Sequence, residues 1–210
     1  DLASLMESMG RAHLRPRPDF VVTVEREIHR HVGGHYESVE PWNGTCVREH
    51  AETFERHSRA LVRLSAGLEE RFDATFYRDE WSPICVIART NAQMDAIHSE
   101  LDRFCLDAPE LVPVRNDVYV RLSHRSYSKG AALQEIQRLL GIGAEQTFAA
   151  GDHLNDLPML RRSVAQWLAT PSNGLREVRI QVATEGGYLA TKSCGEGVLE
   201  ALNRFTGGPH

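Results

Sequence analysis

Residues 149–160 read AAGDHLNDLPML, with Asp152 and Asp156 four positions apart, Asn155 just before the second acid and the small run Ala149-Ala150-Gly151 in front. Two hard carboxylates and an amide oxygen are the donors Mg²⁺ prefers. That ion takes only one or two carboxylates, keeps several waters and shares a phosphate oxygen. The string therefore predicts a Mg²⁺–phosphate site rather than an all-protein cage. Lys129, in SKGAAL, is the second candidate. A cation in the first turn of a helix opposes the helix dipole, so it serves stability poorly but could hold a phosphate beside a metal. The bland alternatives are a helix-capping loop and a solvated lysine. The ordered string Gly-Asp-x-x-Asn-Asp after an apolar strand favours the site.

The elements that must position these groups follow from periodicity. SKGAALQEIQRLLGI (128–142) predicts a helix capped by Ser128, with a buried stripe of Ala132, Leu133, Ile136, Leu139 and Leu140 and Gly141 past its end. TFAA (147–150) predicts a short strand, LPMLRRS the start of a helix with Pro158 in its first turn, and AQWLAT (165–170) and RIQVAT (179–184) further short apolar segments. Residues 196–205 close as a helix. The alternation predicts a parallel α/β sheet. Ligands gather at the carboxyl ends of such strands, where GDHLND falls.

Upstream, Leu2, Leu5, Met6 and Met9 predict an amphipathic helix ending at Gly10, RPRP (15–18) a connector and DFVVTV (19–24) a strand. Residues 25–50 are polar, with Gly33-Gly34 and Asn43-Gly44 as turn signals, and fit a hairpin better than a long helix. Residues 51–71 read as helix, 84–89 as strand, 91–106 as helix and 110–124 as two strands around Asn116-Asp117. The stretch 51–124 is an α+β unit.

Net charge is −5, with both signs scattered, which excludes a basic nucleic-acid surface. The four cysteines form no CxxC pair, so they read as reduced packing residues. With no apolar run of membrane length and no secretory leader at the start, the expectation is a cytoplasmic protein with no membrane partner. His29, His31 and His35 lack structural-zinc spacing, and Trp42, Trp81 and Trp167 read as packing residues. Arg78, Arg115, His124, Arg125 and Tyr127 could touch a substrate, although solvation is the simpler reading of each.

SKGAALQEIQRLLGI and FAAGDHLNDLPML together resemble the third and fourth motifs of the haloacid dehalogenase superfamily, in its Cof-like and sucrose-phosphate-phosphatase-like branch. The resemblance continues through TPSNGLREVRIQVAT, where the family often has a turn and a helix, and GEGVLEAL. It implies a Rossmann-like α/β core over 1–24 and 125–210 and an inserted α+β cap over 25–124. It implies a Mg²⁺-dependent phosphohydrolase acting on a small phosphorylated metabolite, sugar phosphates included, through an aspartyl-phosphate. Carried over, Asp152 is the metal ligand and Asp156 a second acid in the metal site. Asn155 contacts phosphate or the metal shell, Lys129 neutralises charge on phosphate and nucleophile, and Asn173 is a phosphate-side contact. Caps of this kind close over the substrate.

Two departures stand out. Where the family commonly reads Asn-Gly-Ala at the entry to its cap, this sequence reads Val24-Glu25-Arg26. The family's Asp-x-Asp-x-Thr, whose first Asp attacks phosphorus and whose second is the general acid and base, has no counterpart: no Asp-x-Asp occurs in the 210 residues. The opening helix resembles the one that follows the family's second motif. The expectation is thus part of a longer phosphatase, inactive alone. The alternatives are a strand from another chain or a non-catalytic Mg²⁺/phosphate-binding relative. A cation-pumping ATPase also carries a GDxxND loop, but its usual Gly is replaced here by the His153-Leu154 filling.

Overall fold

The computed structural model describes residues 1–13 and 17–207, so Arg15 and Pro16 of the expected connector lie outside the described residues. Helix α1 (Leu2–Arg11) is capped by Asp1, whose carboxylate accepts from the Ser4 amide, and buries none of its residues. Strands β1 (Phe20–Thr23), β2 (Glu27–Val32) and β3 (His35–Ser38) form an antiparallel sheet in that order. The β2–β3 reversal falls on Gly33 and Gly34, both at positive φ, which glycine adopts without steric cost.

The hairpin expected across residues 25–50 ends early, because helix α2 (Trp42–Arg56) begins well inside it. Asn43 and Gly44 resemble a turn, and the buried positions Asn43, Cys46, His50 and Thr53 form no apolar stripe, so periodicity could not find the helix. Helix α3 (Ser58–Arg71) follows after a break at His57. Strands β4 (Thr75–Tyr77) and β5 (Cys85–Ile87), helix α4 (Asn91–Asp107), and strands β6 (Leu111–Asn116) and β7 (Tyr119–His124) complete an antiparallel unit with strand order β4-β5-β7-β6. Its core joins Leu61 and Leu68 of α3 and Met94, Ile97 and Leu101 of α4 to Val86, Val120 and Leu122 of the sheet. Alternation then leaves Tyr119 and Arg121 of β7 on the opposite face.

Helix α5 (Lys129–Leu140) is capped as its sequence predicts: Ser128 Oγ accepts from the Ala131 amide, and Gly141 ends the helix at φ 66°. Its Ala132 and Ile136 pack with Ile28 and Val39, so α5 seats the β1–β3 sheet. Strands β8 (Phe148–Ala150) and β9 (Trp167–Thr170) are parallel, and beyond helix α6 (Arg176–Thr184) strand β10 (Tyr188–Leu189) adds to β9, again parallel. Helix α7 (Cys194–Thr206) closes the described chain. The parallel α/β fold is as expected, with its core on Ala149, Leu160, Leu168, Val178 and Val182.

Two local expectations fail. RIQVAT is no strand-like segment but the body of α6, whose Val178 and Val182 are buried one turn apart. No α-helix starts at LPMLRRS: a 3₁₀ turn at Leu154–Asp156 leads into irregular turns. Carbonyls along residues 157–164 accept from side-chain amides. The Gln181 amide donates to the Leu157 and Leu160 carbonyls, and Gln137 donates to Val164. Among the described residues no helix is long and apolar enough to cross a membrane.

Candidate functional site

Strand β8 ends at Ala150 and delivers the acidic loop to the carboxyl end of the parallel sheet. Asp156, only 5% exposed, turns its carboxylate back into the loop. Oδ2 accepts from the backbone amides of Asp152 at 2.9 Å and His153 at 3.0 Å, and Oδ1 accepts from Lys129 Nζ at 2.5 Å. The capping role weighed for this loop is therefore directed backward, onto the loop itself.

Gly151 makes that possible. A Cβ there would lie 2.5 Å from the Asp156 Cβ and 2.7 Å from its Cγ. Gly151→Ala is expected to cost about 1–3 kcal/mol, as overpacking does, and to lower Tm by roughly 2–12 °C at this chain length. A calorimetric Tm equal to wild type would show that the loop yields and that Gly151 is not required.

Asp152 faces the other way. Its side chain is 37% exposed, against 7% for Asp156, so of the two it is the carboxylate open to an incoming ion. Oδ1 lies 3.0 Å from His153 Nδ1, and Oδ2 accepts from Asn173 Nδ2 at 3.0 Å. Asn173 accepts in turn from the Cys194 amide at the start of α7, at 2.6 Å. Asn155 is buried, and its Oδ1 has no hydrogen-bond partner. The five residues singled out in the sequence, Lys129, Asp152, Asn155, Asp156 and Asn173, thus meet at one strand end. His153, which the sequence reading treated as filler, joins them.

Among the described residues no group of three or more His, Cys, Asp or Glu side chains could hold a metal ion. One open carboxylate and one unpartnered buried amide oxygen remain. That set suits an ion that completes its shell with water and phosphate oxygens, and it does not suit a closed cage. Asp156 has committed both oxygens to Lys129 and the loop.

A cavity of about 690 Å³ lies between this loop and the antiparallel unit, with Glu25, Val112, Val114, Arg115, Lys129 and Asn155 in its wall. Arg125 and Tyr127 also reach it. Arg115 is tied to Asp95, Arg125 to the Pro109 and Leu111 carbonyls, and Tyr127 to Glu49. Arg78 is exposed. His35 pairs with Glu37, and His29 contacts Thr23. Of the tryptophan side chains, Trp42 donates to the Arg26 carbonyl and Trp81 to Glu27.

A parallel sheet with an acid–lysine loop at its carboxyl end is a Rossmann-like α/β scaffold with a ligand site at the strand ends. The profile of the haloacid dehalogenase-like hydrolases matches residues 46–168, more than half of the chain; the chain belongs to this family. A phosphoglycolate phosphatase of Methanothermobacter thermautotrophicus is 32% identical over 88 residues, which span 42% of this chain and 37% of that protein. The sucrose-phosphatase of Synechocystis, solved with sucrose and phosphate, superimposes with a TM-score of 0.72 over 98% of this chain and 81% of its own, at 21% identity. The haloacid dehalogenase-like protein yhjK of Bacillus subtilis gives 0.59 over 100% of this chain and 76% of its own, at 15% identity. At these identities the two structures speak for the fold.

Proposed function

We propose that the chain carries the metal- and phosphate-holding part of a Mg²⁺-dependent phosphohydrolase acting on small phosphorylated metabolites, sugar phosphates among them. The observation that carries this reading is the linked set Lys129–Asp156–Asp152–Asn173 at the strand end, beside a cavity large enough for a small molecule. The phosphatase names of its relatives support the same class. In this reading residues 1–24 and 125–210 are the core that bears the site, and residues 25–124 are the cap that covers it. A cytoplasmic setting belongs to the reading, supported by three buried unpaired cysteines.

Asp152 would hold Mg²⁺, which when bound neutralises charge on a phosphate oxygen. Lys129 offers a second positive charge to the phosphate while Asp156 fixes its position. Asp156 acts on the metal shell by ordering the Asp152 and His153 amides. Asn155 presents its unpartnered oxygen to the phosphate or metal waters, and Asn173 orients the Asp152 carboxylate. In the family the attacking aspartate lies in the Asp-x-Asp-x-Thr motif. With no Asp-x-Asp in these 210 residues, the chain alone is expected to bind phosphate without hydrolysing its esters. The same absence favours a second reading, a non-catalytic Mg²⁺/phosphate-binding member of the family.

Calorimetric titration with inorganic phosphate and MgCl₂ tests the site. Asp152→Ala and Lys129→Ala are each expected to weaken binding at least about tenfold, or ~1.4 kcal/mol. Wild-type affinity in both variants would sink the proposal. An aryl phosphate assay separates the two readings when the chain is extended with upstream coding sequence that contains Asp-x-Asp-x-Thr: turnover gained there and lost in Asp152→Ala excludes the non-catalytic one.

A further inference from the structure

His153 stands beside Asp152 in the acidic loop, but its ring takes no part in the Lys129–Asp156–Asp152–Asn173 linkage. Nδ1 lies 3.0 Å from Asp152 Oδ1, and the two side chains are 33% and 37% exposed. That is hydrogen-bond distance, yet the ring nitrogen is not aimed at the oxygen as a hydrogen bond requires. Among the described residues neither atom has another partner, and both side chains are open to solvent.

The backbone under this pair is fixed. Asp156 Oδ2 accepts from the Asp152 and His153 amides at 2.9 and 3.0 Å, and the His153 carbonyl accepts from the Asp156 amide at 3.0 Å. The Asp152 carbonyl accepts from the Leu175 amide at 2.9 Å, and Asn173 Nδ2 occupies Asp152 Oδ2. What stays uncommitted on the two residues is Oδ1 and the imidazole, side by side. Ligands held in this way by their outer partners are oriented before an ion arrives.

We infer that His153 Nδ1 and Asp152 Oδ1 are neighbouring ligands of one octahedral ion, and that the imidazole makes this loop prefer a nitrogen-accepting first-row ion, Fe²⁺, Co²⁺ or Ni²⁺, to Mg²⁺. The inference rests on the reading that Asp152 holds a divalent cation, and it names which cation the site selects. Two neighbouring ligands, each about 2.1 Å from an octahedral ion, stand about 3.0 Å apart, which is the separation of the pair. Around a tetrahedral ion at the same distance they would stand about 3.4 Å apart. Two ligands that share an ion aim at the ion and not at each other, which accounts for the missing alignment. The neutral ring then keeps its proton on Nε2. Mg²⁺ takes oxygen ligands, whereas imidazole suits iron and nickel, and affinity rises from Mn²⁺ to Ni²⁺. Two protein ligands leave the other positions to water and phosphate oxygens, in keeping with the lack of any group of three or more His, Cys, Asp or Glu among the described residues that could hold an ion.

The test titrates the full chain calorimetrically with CoCl₂ alone and with MgCl₂ alone, and reads the Co²⁺ form by proton NMR. Wild type is expected to bind one Co²⁺ at least about tenfold more tightly than Mg²⁺ and to show the strongly shifted ring protons of one ligating histidine. His153→Gln is expected to lose those signals and to reduce the preference for Co²⁺ over Mg²⁺ at least about tenfold. Asp152→Ala is expected to abolish the binding of both ions. A wild-type Co²⁺ form without shifted ring protons overturns the inference without any variant having to fold. So does an ion preference that His153→Gln leaves unchanged, which would reduce the pair to a chance approach. Shifted ring protons that survive Asp152→Ala place the ligating histidine elsewhere and overturn it as well. In each of these cases Mg²⁺ binding that is lost in Asp152→Ala keeps the phosphohydrolase reading standing. Binding of neither ion to the wild-type chain removes that reading and the inference together.

Discussion

Asp156→Ala is expected to lower Tm by roughly 6–16 °C, while Asp152→Ala, four residues away, moves it by only a few degrees. The difference lies in what each carboxylate holds. Asp156 is 7% exposed at its side chain and satisfies three donors: Lys129 Nζ and the Asp152 and His153 amides. Its removal strands two loop amides and a lysine, and leaves a gap against Gly151. Lost partners of buried donors cost about 1–3 kcal/mol each. Lys129 is 31% exposed, so water recovers part of its loss, and about 3–4 kcal/mol in all is a reasonable sum. At 2–4 °C per kcal/mol for a chain of this size, that gives the stated range. Asp156→Asn keeps the shape and one acceptor, and should lose about half as much. Asp152 is part-exposed and bonds one amide side chain, so its loss falls within ~1 kcal/mol while Mg²⁺-dependent phosphate binding goes. Calorimetric scans of the two alanine variants check this directly. Equal Tm losses would mean that Asp156 does not organise the loop.

That division was only half readable in the sequence. The spacing of Lys129, Asp152 and Asp156 announced one site because the intervening elements, α5 and β8, have clear patterns: a Ser128 cap, an apolar stripe and a Gly141 stop. Which acid faces outward and which faces the loop depends on a 3₁₀ turn. The sequence suggested a helix there, since Pro158 and Leu160 fit one. The competing signals were distant, in Gln137 and Gln181, whose side-chain amides take the carbonyls of that segment. Helix α2 escaped notice for a related reason. Its inward face is Asn43, Cys46, His50 and Thr53, chosen for hydrogen bonding rather than apolar packing. The Asn43 side chain bonds both the N–H and the C=O of Ile28, a link that no periodicity records.

The buried side of α2 also makes a pH prediction. His50 is 3% exposed. Nδ1 lies 2.7 Å from the Cys46 carbonyl, so it carries the proton and donates there. Nε2 accepts from the His124 amide at 2.9 Å and from Ser123 Oγ at 3.1 Å, and Ser123 accepts from Arg26. The network joins the turn after β1, the end of β7 and α2. Protonating Nε2 would break two of its bonds and add a cation facing Arg26. Burial first, then the Arg26 charge, pulls the His50 pKa from 6.5 down to about 3. The sign follows from linkage. In the unfolded chain His50 binds a proton near pH 6.5 and in the folded chain it does not, so stability is full above that pH and drains away between 6.5 and 3. Between pH 7 and pH 5 the loss is about 2 kcal/mol, or roughly 4–8 °C in Tm. Burial pushes His29 the same way, whereas Glu100 and Glu200, held near 2 by their hydrogen bonds, titrate below this window. Urea unfolding at the two pH values measures the drop. His50→Gln should be less stable at pH 7 but nearly flat to pH 5, apart from the His29 share. A variant that keeps the full wild-type slope would show that the proton is taken up elsewhere.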